Sequence, residues 1–212
     1  MKIFIATLCM SAFVMTHSIA QKDPKALQIL DAMSDKYRST PSFKSEFKYL
    51  MENPDENINE GFEGVVFVKD DFYKLLMEGQ EVRFDGTYVW TYSKEFEEIQ
   101  VSPNEEEEEE FTISKIFDLY KTGFKYLYLE SRDAGKIDVI DLVPEDLNKS
   151  YFKIRMQIVA ETKALKSFKI FDKSGSRYVY EIVKFTPDNT LKDSDFTFTE
   201  KQMEGKELID FR

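Results

Sequence analysis

The spacing of hydrophobic positions changes along the chain, and each change marks an element. Asp23-Pro24 opens a helix, with Asp as N-cap and Pro at the first helical position. Ala26, Leu27, Leu30, Met33 and Tyr37 then recur at helical spacing and form one apolar stripe. Ser39-Thr40-Pro41 ends it. From Ser42 the period falls to two: Phe43, Ser45, Phe47 and Tyr49 share one face, and Lys44, Glu46 and Lys48 the other. A polar turn at 53–59 leads to strands over 64–69, 72–77, 80–84, 87–92 and 96–101. Asp85-Gly86 between two of them is a two-residue hairpin signal. Six consecutive glutamates at 105–110 read as a solvated, self-repelling loop. A short amphipathic helix follows, striped by Ile113, Ile116, Phe117 and Tyr120 and closed by Gly123. Further strands are expected over 124–130, 137–143, 151–159, 165–171 and 176–185, and the tail carries Asp195-Phe196-Thr197-Phe198 before a polar end.

Strands that follow one another through short turns form a meander, not βαβ units. The pattern predicts a mainly β (α+β) fold of about ten or eleven antiparallel strands. A curved sheet of that length closes into a barrel or wraps around something, and the two helix stripes supply at least part of that something. Helices that cover the concave face incompletely leave an apolar cavity with a movable lid.

The first twenty residues have a different character. Lys2 is a basic start, 3–15 an apolar middle, and Ser18-Ile19-Ala20 a small-x-small cleavage site before Gln21. This divides the chain into a signal peptide over 1–20 and one domain over 21–212, exported to the periplasm. The only cysteine and the only histidine, Cys9 and His17, lie inside the signal. Their removal excludes cysteine nucleophiles, Ser-His triads, thiolate or histidine zinc sites and disulfides. The formal charge of −11, made more negative by loss of Lys2, argues against nucleic acid as a partner. Beyond the signal no apolar run reaches the ~18 residues of a membrane span.

Carboxylate pairs are the catalytic option left. Acidic residues number 40, so chance pairs are expected. Glu95, Glu97, Asp138 and Asp141 fall on polar strand faces where solvation accounts for them. Trp90 between Tyr88 and Tyr92 suits a sugar, an acyl chain or a plain core. With 19 Phe and 11 Tyr in the whole chain, aromatic content fits either a filled β core or an enlarged apolar cavity. No glycine-rich phosphate loop is present among eight scattered glycines. The expectation is a binding protein rather than an enzyme, with no cofactor or metal.

Taken in order, Ser42-Phe43-Lys44-Ser45-Glu46-Phe47, Gly64-Val65-Val66-Phe67-Val68-Lys69, Phe84-Asp85-Gly86-Thr87-Tyr88-Val89-Trp90-Thr91-Tyr92 and Asp195-Phe196-Thr197-Phe198 resemble the periplasmic lipoprotein carrier family (LolA-like). The resemblance covers essentially all of the chain after the signal. It implies an incomplete antiparallel barrel with a helical lid, holding the acyl chains of lipoproteins as they cross the periplasm. It also implies an ATP-driven (ABC) transporter in the inner membrane as donor, and an acceptor in the outer membrane or that membrane itself as recipient. The carrier is expected to be a monomer. The expected wall is Phe43, Phe47, Tyr49, Val66, Val68, Leu75, Tyr88, Trp90 and Tyr92, with Leu30, Met33, Ile116 and Phe117 on the lids. Two features depart from the family: Asp70 stands where a basic residue often follows the Val-Lys of the second strand, which leaves open whether Lys69 or Arg83 substitutes and carries no basic latch over to this chain, and the glutamate run is unusual. The alternatives are a carrier or sensor of another lipid or glycolipid on the same fold, and a carboxylate-based carbohydrate-active enzyme.

Overall fold

A computed structural model describes residues 22–104 and 115–212; the signal sequence and the glutamate run lie outside them, as does Ile113. Helix α1 (Pro24–Arg38) is followed by β1 (Ser42–Asn53), β2 (Ile58–Lys69), β3 (Phe72–Met77), β4 (Gln80–Phe84), β5 (Tyr88–Ser93) and β6 (Glu98–Pro103). Two 3₁₀ turns, Lys115–Phe117 and Leu119–Lys121, lead into β7 (Phe124–Arg132), β8 (Ile137–Pro144), β9 (Tyr151–Val159), β10 (Leu165–Asp172) and β11 (Arg177–Pro187). A third 3₁₀ turn (Asp193–Phe196), a one-turn helix α2 (Glu200–Met203) and β12 (Glu207–Asp210) complete the described residues.

The strands form one open sheet in the order β12-β6-β5-β4-β3-β2-β1-β11-β10-β9-β8-β7. Two antiparallel meanders, β1 to β6 and β7 to β11, meet where β1 pairs with β11. Only the short β12, which the alternation does not reveal, joins in parallel, beside β6. Among the described residues the sheet ends at β7 and β12 and so is an incomplete barrel.

Helix α1 covers one face. Asp23 caps it, accepting from the Lys25 and Ala26 amides, and the same carboxylate accepts from Tyr128 N–H (3.1 Å) while Asp23 N–H donates to the Tyr126 carbonyl (3.1 Å). The helix start is thus bonded to edge strand β7. Ala26, Ile29, Leu30, Met33 and Tyr37 are buried against the sheet, with Ile140, Leu142, Ile154, Met156 and Ile158 beneath them. Leu27, read as part of the stripe, is 36% exposed, and Ile29 is buried beside the rest of the stripe instead.

Three strand-level expectations change. The strand expected from Phe96 begins at Glu98, and Phe96 is 68% exposed in the preceding turn, where Glu97 adopts φ 49°. Ile116 and Phe117 are buried as expected, but in 3₁₀ turns rather than an α-helix. Asp138 and Asp141, read as solvated, are buried on β8. Asp141 is held by a bidentate pair with Arg155 (2.7 and 2.8 Å), and Asp138 accepts from the Tyr128 hydroxyl (3.4 Å). Three residues apart on a regular strand, they face opposite sides of the sheet and do not form a catalytic pair.

Candidate functional site

Cross-strand register decides which residues share the face beneath α1. Phe43 lies opposite Val68, Ser45 opposite Val66, Phe47 opposite Gly64 and Tyr49 opposite Phe62. The row continues from Val66 to Leu75 and from Leu75 to Val82. On the other side, Phe47 meets Ile182, Tyr49 meets Tyr180, and Tyr180 meets Phe168. Of the expected wall, Phe43, Phe47, Tyr49, Val66, Val68 and Leu75 are brought together, with Leu30, Met33, Ile116 and Phe117 packed over part of the same face.

Coverage ends partway along β1. Phe43 is buried beneath the lid, where Tyr37 stacks on Phe117 with ring centroids 3.6 Å apart and meets Phe185 edge-on at 5.1 Å. Further along, Phe47, Tyr49, Phe62, Phe168, Tyr178 and Tyr180 are only half-buried. They form an aromatic trough: Tyr49 lies 4.8 Å from Phe62 and 5.0 Å from Tyr180, and Tyr180 stacks on Phe168 at 4.5 Å. Gly64 shapes its floor. A Cβ there would sit 2.6 Å from the Phe47 ring, so the missing side chain lets that ring lie flat across the strand. Burial pushes the Tyr180 hydroxyl up to about 12, with help from Tyr49 and Tyr178, so it is a neutral donor at any physiological pH. Phe62, Phe168, Tyr178 and Tyr180 were not among the expected site residues; the pairing of β1 with β11, which no local pattern reveals, brings three of them in.

The lid is pinned at one carboxylate. Asp118, between the first two 3₁₀ turns, accepts from Ser34 and Arg38 of α1 and from Lys121, with Arg38 at 3.1 Å and Lys121 at 2.6 Å. Tyr120 adds a hydroxyl bond to Asp31 (2.6 Å). Burial alone would raise the Asp118 carboxyl, but the bonds from Lys121, Ser34 and Arg38 outweigh it and hold it below the ordinary value. A depressed carboxylate stabilises at neutral pH and loses that contribution as pH falls through its lowered pKa. The lid tie is therefore intact above about pH 4, the range of an ordinary aspartate, and lost at stronger acidity. Asp118→Ala should raise the fluorescence of an apolar-surface dye at pH 7 to the level the wild type reaches only in acid; equal dye signals for both proteins at pH 7 would refute this.

Tyr88, Trp90 and Tyr92 are on the opposite, outer face. Leu75 pairs with Val82 and Val82 with Thr91, so the α1 side of β5 carries Thr91 and Val89 while Trp90 pairs with Arg83. The aromatic stripe builds a second core of Trp90, Ile99, Val101 and Phe198, flanked by Tyr88, Tyr92 and Met203. Trp90 Nε1–H donates to Asp85 (2.8 Å), which also accepts from the Thr87 and Tyr88 amides. The physical reason for the difference is that residues 193–203 return over the outer face, before β12 joins the sheet edge, and need apolar ground to pack on.

The two basic candidates serve that same segment. Arg83 is buried, bonded to Glu81 and the Thr197 carbonyl, with its guanidinium 4.0 Å from the Phe198 ring centre. Lys69 pairs with Asp193. Neither faces the trough. Asp70 adopts φ 53° in the tight β2–β3 turn, a left-handed conformation that Asp tolerates better than Lys or Arg. A solvent-open cavity of about 420 Å³ between this hairpin end of the sheet and the tail, lined by Phe72, Asp85, Tyr88 and Asp193 among others, is likewise on the outer face.

Trp90 is the only tryptophan in the chain. Its emission is expected to keep its apo wavelength when an acylated peptide is titrated in, because it is on the far side of the sheet from the trough. A large blue shift on titration would contradict that placement of the ligand.

A family model described as outer membrane lipoprotein carrier protein LolA matches residues 78–199, more than half of the chain. The chain belongs to the LolA family. Among solved structures, an uncharacterized conserved protein from Thermus thermophilus aligns at 11% identity and TM-score 0.54, over 88% of this chain and 99% of that one. Lipoprotein LppX from Mycobacterium tuberculosis aligns at 13% identity and TM-score 0.53, over 80% and 100%. At such identities these establish the shared fold. A search of curated proteins finds no match.

Proposed function

We propose that this chain is an exported, monomeric carrier that shields the acyl chains of lipoproteins in its aromatic trough and moves them across the periplasm. In this reading it receives cargo from an inner-membrane transporter and delivers it to the outer membrane or an acceptor there. The observation that carries the reading is the half-covered trough: a sheet face rich in Phe, Tyr and Met whose lid stops short of it. An acyl chain gains ~0.8 kcal/mol per CH₂ on leaving water, so sixteen carbons are worth roughly 12 kcal/mol. A soluble carrier must replace the bilayer with a comparable apolar surface and still release its cargo. Aromatic and thioether side chains supply adaptable contact without a covalent step, and the buried carboxylates are engaged in structural bonds. Family membership supports carriage of lipoproteins; the signal-like first twenty residues support export.

The test is mass spectrometry of organic extracts from protein purified from the envelope of its host, with and without a crosslinker on the trough. Acylated peptides are the expected species. A free glycolipid would reassign the cargo within the same fold, and protein that takes up no acylated species, even when mixed with detergent-solubilised lipoprotein, would end the carrier reading.

A further inference from the structure

Three tyrosines stand together in the trough. Tyr49 pairs with Tyr180 and Met51 with Tyr178 across the β1–β11 seam, so the three rings share the face beneath α1. Bonded tyrosine hydroxyls on this side of the sheet include those of Tyr37, which accepts from Leu165 N–H, of Tyr120, which donates to Asp31, and of Tyr128, which donates to Asp138. Among the described residues, the hydroxyls of Tyr49, Tyr178 and Tyr180 bond to no protein group. The three side chains are only partly buried, so in the open trough their hydroxyls can still reach solvent. A lipid settling there displaces that water, and a hydroxyl covered by plain hydrocarbon loses its bonds without replacement.

We propose that these hydroxyls select ester-linked acyl lipids. They donate to the ester carbonyls of a glyceryl-linked chain, whereas an alkyl ether lacks those carbonyls and offers only its chain-linking oxygens, set back from where a carbonyl oxygen projects, so the donors lose the acceptors they are placed for. A site built to bond a polar group rejects the analogue that lacks it more sharply than an apolar pocket rejects a change of size. This rests on the carrier reading and adds a chemical criterion for its cargo. Chain burial supplies the affinity, and the tyrosines decide which linkage is accepted.

The experiment compares two synthetic lipopeptides, one with two palmitoyl esters on a glyceryl-cysteine and one with two hexadecyl ethers in their place. The wild-type protein should bind the ester at least about tenfold more tightly. A variant combining Tyr49→Phe, Tyr178→Phe and Tyr180→Phe should hold the two within about twofold, by gaining affinity for the ether and losing it for the ester. Each single Phe variant, a milder change to packing, should lose roughly a two- to fivefold share. Equal wild-type affinities, or a preference that survives in the Phe variants, would overturn the selection while leaving the carrier reading intact. A wild-type protein that binds neither peptide would remove both.

Discussion

Replacing Phe62 by Asp is expected to weaken binding of a diacyl lipopeptide by at least about 100-fold while leaving the fold intact. Phe62 is half-buried on β2, between Phe47 (6.2 Å) and Tyr49 (4.8 Å), and it packs on trough rings rather than in the core beneath α1. In the empty protein an aspartate there is hydrated. Under an acyl chain it must lose its water or take up a proton, and burying an unpaired carboxylate costs several kcal/mol. A hundredfold loss corresponds to about 2.7 kcal/mol, within that cost. Phe96→Asp, in the exposed turn before β6, serves as the matched control and should bind as the wild type does. Calorimetric titration with both variants decides the matter: unchanged affinity in the Phe62 variant would mean that the acyl chain lies elsewhere.

The second large effect concerns stability. Trp90→Ala should cost about 3–5 kcal/mol of unfolding free energy, the range for emptying a buried aromatic site, and lower the melting temperature by roughly 6–20 °C for a chain of this size. The loss includes contacts with Ile99, Val101 and Phe198 and strands the Asp85 carboxylate's bond from the indole. Below the new melting point lipopeptide affinity should match wild type, because the lost packing is on the outer face. A variant that melts normally but no longer binds lipid would reverse the assignment of the two faces.

That reversal is what the sequence alone suggests, and the reason it misleads is instructive. Alternation within a strand separates two faces but does not say which is inside; Tyr88, Trp90 and Tyr92 form the most aromatic stripe, so the cavity is the natural place for them. Parity across the hairpins says otherwise. The Glu78-Gly79 turn pairs odd positions of β3 with even positions of β4, and the next hairpin passes those to odd positions of β5, so Leu75 shares a face with Thr91, not Trp90. Those hairpins are legible in the sequence, and following them strand by strand would have placed the stripe outside. Phe43, Phe47 and Tyr49 were legible for the complementary reason: their strand directly follows the helix that covers it. The share of the trough contributed by β10 and β11 was not legible, because contacts between residues more than a hundred positions apart leave no periodic signature. The 3₁₀ geometry of the second lid element was also beyond reach, since a two-turn apolar stripe fits either helix type.

The pairing of β1 with β11 has a consequence for how this molecule comes into being. Within each meander, strands find neighbours a few residues away across short turns, which is fast. The seam joins Tyr49 to Tyr180 and Phe43 to Pro187, a loop closure across most of the described residues, and it cannot form until β11 is available to pair. Until then β1 offers an unpaired apolar edge, the kind of surface that invites association with other chains. Folding speed should therefore be governed by the seam. A circular permutant that links the two chain ends and opens a turn far from β1 and β11 shortens that closure, and it should fold markedly faster than the natural order of strands at nearly the same stability.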